Sequence, residues 1–123
     1  MKFLIADDDR VFVELCASRL RSKGHKVLTA TDAVQAFMFA MREAPDAIVL
    51  DINMPAGGGE ATLQKLKGSA KTESIPVIIA SGLSDPGLPD RVKEMGAAEF
   101  LAKPVSFDQI NATLARLLGT PPV

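Results

Sequence analysis

The sequence predicts an α/β protein built on a doubly wound parallel sheet. Five short apolar runs recur along its 123 residues, and a helical pattern follows each one. Three of the runs, FLIA, AIVL and VIIA, are continuous rather than alternating, as expected of strands covered on both faces.

The first run, KFLIA (2–6), leads into RVFVELCASRLRSK, where Val11, Leu15 and Leu20 mark a helical face that Gly24 ends. KVLTA (26–30) precedes DAVQAFMFAMREA. There Ala33, Ala36, Phe37, Ala40 and Met41 follow the i, i+3, i+4, i+7, i+8 stripe of a helix with one apolar side. DAIVLD (46–51) runs through a glycine-rich loop into EATLQKLKGS, and IPVIIAS (75–81) runs through a Pro- and Gly-rich loop into PDRVKEMG. AEFLA (98–102) is the last strand, followed by SFDQINATLARLLG. Its Ser106 and Gln109 have capping-box spacing, and Phe107, Ile110, Leu114, Leu117 and Leu118 form its stripe. TPPV cannot continue a helix, so residues 1–119 read as one domain and 120–123 as a Pro-rich tail or linker stub.

Composition narrows the function classes. A net charge of -1 without a Lys/Arg cluster argues against direct nucleic-acid contact. A single cysteine excludes an internal disulfide, and a single histidine excludes a His-based metal cage. The first apolar run is short and broken by aspartates, unlike a signal peptide. No run approaches the roughly 20 apolar residues of a membrane span. The expectation is a cytoplasmic protein.

In sheets of this kind ligands bind beyond the carboxyl ends of the strands. Asp7 and Asp8 follow the first run, Asp51 ends the third, Ser81 ends the fourth and Lys103 follows the fifth. Carboxylates without His or Cys suit a hard cation, Mg²⁺ above all, whose charge offsets their mutual repulsion. Phosphoryl transfer needs an in-line nucleophile and groups that neutralise charge on the equatorial oxygens. A carboxylate can be that nucleophile, and Asp51, at the end of the central strand, is the best placed. Asp9 opens the first helix and reads as its N-cap.

With LIADDD, IVLDINMP, PVIIASG and GAAEFLAKP in order and at matching spacing, the chain resembles the receiver domains of two-component response regulators from about Lys2 to Gly119. The resemblance implies a flavodoxin-like sheet in the order 2-1-3-4-5 with five helices. It implies that Asp51 accepts phosphoryl from a sensor histidine kinase or phosphotransfer protein. Asp8, Asp51 and the backbone carbonyl of Asn53 would ligate Mg²⁺, with Asp7 acting through water. Ser81 matches the switch hydroxyl, Lys103 the phosphate-binding lysine and Phe100 the aromatic switch. A cis bond at Lys103–Pro104 is also implied. Phosphorylation would repack the surface of the fourth helix, fifth strand and fifth helix, acting on an output partner, a missing effector domain or a second copy in a homodimer.

The chain departs from the family pattern at several places. Ala56 and three glycines follow the MP of the acceptor loop, which predicts a loose loop with Glu60 beginning the helix. Pro86, Gly87 and Pro89 predict a fourth helix shortened at its start. Gly57–Gly59 lack the G-x-x-x-x-G-K-[ST] pattern of a nucleotide loop. Met38 lies off the apolar stripe, as a partner-facing residue would. Cys16 reads as a small buried hydrophobe, and His25, in a turn, carries no expected role. Two alternatives stand beside the receiver reading. One is a receiver-like interaction module independent of phosphorylation. The other is an aspartate-nucleophile Mg²⁺ phosphatase, against which Asn53 counts because that chemistry needs a second aspartate there.

Overall fold

The computed structural model describes residues 1–54, 58–82 and 85–119; the tail at 120–123 and the middle of the loop expected to be loose, 55–57, lie outside them. Five strands alternate with five helices. They are β1 (Lys2–Ala6), α1 (Arg10–Ser22), β2 (Lys26–Ala30), α2 (Ala33–Glu43), β3 (Ala47–Asp51), α3 (Gly59–Lys67), β4 (Val77–Ser81), α4 (Leu88–Glu94), β5 (Glu99–Ala102) and α5 (Phe107–Leu118). The sheet order is β2-β1-β3-β4-β5, and every pairing is parallel.

The continuous apolar runs are the fully covered strands: every residue of β3 and β4 is buried. Alternate side chains feed two cores. Leu4, Ile48, Leu50 and Ile79 meet Ala36, Leu63 and Val92 of α2, α3 and α4. Phe3, Ile5, Val49 and Ile78 meet Cys16, Leu20 and Ile110 of α1 and α5. Each fully buried Leu or Ile contributes about 1.5–3 kcal/mol.

The helix starts follow local chemistry. Asp9 accepts hydrogen bonds from the N–H groups of Val11 and Phe12, Asp32 from Gln35, and Ser106 and Gln109 close a reciprocal capping box. α4 has only seven residues, with Pro89 in its first turn, as the proline positions predict.

One expectation fails. Val11 and Leu15 do not face the core; they are 81% and 47% exposed, and α1 buries Val13, Cys16, Ala17 and Leu20 instead. The buried set has true i, i+3, i+4, i+7 spacing, which the larger hydrophobes obscured.

The third helix is fixed to the sheet at both ends. Lys67 donates to the carbonyls of Glu73 (3.0 Å) and Ile75 (2.7 Å), so its ammonium fastens the end of α3 to the approach of β4. At the other end the Gly59 N–H donates to the Ile52 carbonyl at 2.7 Å, and a Cβ on Gly59 would collide with the backbone of Asp51 and Ile52. Gly59 therefore permits a close approach as the first residue of α3, one residue ahead of the predicted Glu60.

Candidate functional site

The strand ends meet as the sequence predicts. β1 stops at Ala6, so Asp7 and Asp8 leave the sheet at its carboxyl edge, beside the end of β3 at Asp51. Asp7 and Asp51 are buried, at 1% and 3% exposure, while Asp8 is exposed. One oxygen from each of the three carboxylates lies within 4.8 Å of the others.

β5 runs past Ser81 because Ala102 pairs with it, and the next N–H, that of Lys103, donates to the Ser81 carbonyl at 2.9 Å. The Lys103 ammonium thus enters the cluster. Its Nζ lies 2.8 Å from Asp7 Oδ2 and 3.7 Å from Asp51 Oδ1. Asp7 Oδ1 accepts the Asp9 N–H at 2.9 Å, whereas the buried Asp7 Oδ2 makes no directed hydrogen bond and relies on that ion pair. Asp51 Oδ1 accepts the Asn53 N–H at 3.2 Å. Asp8, Asp51, Asn53, Gly82 and Lys103 line a cavity of about 260 Å³. The Lys103–Pro104 peptide is cis, as the resemblance implied.

Ser81 is buried at the end of β4. Phe100 stands back from the carboxylates. It is half-buried opposite Ile79, two residues before Ser81 on the same face of β4, and packs against the core that holds Leu88 and Val92 of α4.

The electrostatics follow from that placement. Burial, and next the charge of Asp7, push the Asp51 carboxyl up to about 6, against the Asn53 hydrogen bond and Lys103, which pull it down. Burial alone would lower the Lys103 pKa; its ion pair with Asp7, with the charges of Asp51 and Asp8 beyond, holds it above the ordinary value instead. Three carboxylates face one ammonium, so the ionised cluster carries two surplus negative charges. A buried oxygen without a directed donor and an all-oxygen ligand set fit a hard divalent cation.

Two contacts at the site are not evident from sequence spacing. Gly59 presses the head of α3 onto the Asp51 carbonyl, and the neighbouring Glu60 reaches Arg91 of α4 at 2.6 Å. A glycine immediately before a helical acid is the only sequence trace of either.

An acidic pocket crossed by a lysine, at the carboxyl edge of a 2-1-3-4-5 parallel sheet, is the architecture of a phosphoryl-accepting signalling module. The chain belongs to the response regulator receiver domain family, whose model matches residues 3–115. It is 37% identical over 118 residues to response regulator PleD of Caulobacter vibrioides, covering 94% of this chain and 26% of PleD. The chain spans about a fifth to a half of the length of the curated relatives it matches. The receiver domain of Francisella response regulator 1452 superposes with a TM-score of 0.87 at 27% identity, covering 96% of each chain. The receiver domain of sensor histidine kinase PA1611 from Pseudomonas aeruginosa PAO1, which has a magnesium ion coordinated in its active-site cleft, superposes with a TM-score of 0.85. That pair is 25% identical over 97% of this chain and 98% of the other. The acidic pocket of Asp7, Asp8 and Asp51 fits a phosphoacceptor site, and the family match favours the receiver reading over both alternatives.

Proposed function

We propose that Asp51 accepts a phosphoryl group from the phosphohistidine of a cytoplasmic sensor kinase or phosphotransfer protein, with Mg²⁺ bound beside it. The observation that carries this reading is the surplus of carboxylate over ammonium around a buried aspartate at the end of the central strand. Asp8, Asp51 and the Asn53 carbonyl would hold the ion, with Asp7 acting through water. When bound, Mg²⁺ offsets the carboxylate repulsion and the charge on the phosphoryl oxygens. The magnesium ion in the cleft of the PA1611 receiver supports that choice of metal.

An ionised Asp51 oxygen attacks phosphorus in line. The P–N bond breaks, its electron pair stays on the imidazole nitrogen, and the leaving imidazole takes a proton from solvent. Lys103, already 3.7 Å from Asp51 Oδ1, is placed to pair with the incoming phosphoryl oxygens. Ser81 supplies a hydroxyl at the neighbouring strand end. Inward movement of Ser81 frees space on the sheet face it shares with Phe100, so that the α4–β5–α5 surface repacks and addresses the output partner.

The exposed α1 residues support docking of a donor protein. Val11 and Leu15 lie one helical turn apart on α1. Nearby, Asp9, Phe12, Lys103, Pro104 and Val105 line a cavity of about 390 Å³ adjoining the cleft. An apolar helix face beside the acceptor suits a helical partner that presents its phosphohistidine there.

Incubation with acetyl phosphate and Mg²⁺, followed by intact-mass measurement, tests the proposal. Wild type gains one phosphoryl group, Asp51→Asn gains none, and EDTA abolishes the reaction. An unmodified wild type, or an undiminished adduct on Asp51→Asn, refutes it.

A further inference from the structure

Resting on the assignment of Asp51 as acceptor, we propose that Arg91 is a positioning residue that sets the lifetime of the phosphoryl group by clasping the head of α3, which packs on Asp51, to the entry of α4.

The first loop leaves β3. Its far end is the head of α3, where Gly59 donates to the Ile52 carbonyl at 2.7 Å and packs too closely on Asp51 to admit a Cβ. Any movement of this helix head is therefore felt at the acceptor backbone. Glu60 is the next residue, and its Oε1 lies 2.6 Å from Arg91 Nε. The second loop leaves β4 at Ser81 and Gly82, the latter lining the Asp51 cavity. It enters α4 through Asp85, whose Oδ1 accepts the Gly87 N–H at 3.0 Å and whose carbonyl accepts the Leu88 N–H at 3.1 Å. Asp85 Oδ2 lies 3.0 Å from Arg91 Nη2. One guanidinium thus ties the head of α3 to the entry of α4, a task its planar fork suits better than a lysine. The buried Leu88 and Val92 anchor the short helix that carries it.

Loss of the phosphoryl group requires water in the cleft. The water oxygen attacks phosphorus, the P–O bond to Asp51 breaks, and its electron pair returns to the carboxylate. Inorganic phosphate leaves with the water oxygen, and the water protons pass to phosphate and solvent. With the clasp closed, the head of α3 is tied to α4 and its Gly59 contact behind Asp51 is held; with it open, that contact loosens and water reaches the phosphoryl group more often. All three side chains are partly exposed, so the effect is modest and sensitive to salt.

The test measures first-order decay of the acetyl phosphate adduct after donor removal. Arg91→Ala decays about two- to five-fold faster than wild type, the scale expected of an exposed ion-pair network. Arg91→Lys falls between them, and adding Glu60→Gln to Arg91→Ala changes nothing further. In 1 M NaCl wild type decays at the rate of Arg91→Ala, whose own rate does not move. Equal lifetimes, a longer lifetime for Arg91→Ala, or a difference that salt leaves intact overturns the clasp while leaving Asp51 as acceptor. If wild type forms no adduct, the assignment of Asp51 falls, and hydrogen exchange decides the clasp alone. Arg91→Ala must then speed exchange at the Gly59 and Gly87 amides, and unchanged exchange at both overturns it.

Discussion

Asp51 is held in a site that opposes its ionisation, and removing its charge should therefore stabilise the metal-free protein. Its carboxyl titrates near 3.8 when unperturbed and is pushed up to about 6 in the fold by burial and by Asp7. Between those values the native state holds a proton that the unfolded chain releases. The stabilisation from this group is complete below about pH 4 and is lost as pH rises through 6. At about 1.4 kcal/mol per pH unit, the ionised carboxylate costs up to about 3 kcal/mol at neutral pH. Asparagine keeps an acceptor for the Asn53 N–H and cannot ionise. Urea denaturation in EDTA should show Asp51→Asn more stable than wild type by about 1–3 kcal/mol at pH 7.5 and no different at pH 4. Added Mg²⁺ should narrow the gap, because it stabilises the wild-type cluster. A variant no more stable at pH 7.5, or a gap that ignores pH, would show that the site does not oppose ionisation of Asp51.

Four further outcomes follow from the same geometry. Lys103→Ala leaves Asp7 Oδ2 buried without its counter-charge and should cost about 2–4 kcal/mol by urea denaturation, most of it recovered in the Asp7→Asn/Lys103→Ala double variant. Gly59→Ala drives a methyl into the Asp51–Ile52 backbone and should cost about 1–3 kcal/mol. Gly58→Ala has open space, but a φ of +75° with a ψ of 161° is backbone that glycine alone adopts readily, and it should cost about 1–3 kcal/mol in the same assay. The Val11→Ser/Leu15→Ser pair should change stability by less than about 1 kcal/mol. It should slow phosphoryl transfer from a protein donor while leaving transfer from acetyl phosphate untouched.

The sheet was readable in the sequence because its central strands are buried on both faces and therefore continuously apolar. The site was readable because doubly wound sheets gather their strand ends, so Asp7, Asp51, Ser81 and Lys103 had to converge. The core face of α1 differs from its largest hydrophobes for a physical reason. Its buried stripe is built partly of small residues, Cys16 and Ala17, while the larger Val11 and Leu15 point outward. The glycine run predicts a loose loop, and its last residue, Gly59, makes a close contact that only the folded backbone reveals. The preference of Lys103 for Asp7 over Asp51 depends on side-chain reach within the cluster. The Glu60–Arg91 pair joins residues 31 apart through the packing of α3 beside α4. Neither has a local pattern for a sequence to display.

Asp51, alone among the three clustered aspartates, is proposed as the phosphoryl acceptor. Borohydride reduction of the acetyl phosphate adduct, followed by peptide mass spectrometry, converts a phosphorylated aspartate to homoserine and so marks the modified residue. Homoserine is expected at position 51 alone, dependent on Mg²⁺. Homoserine at Asp7 or Asp8, or none at all from a phosphorylated protein, would contradict it.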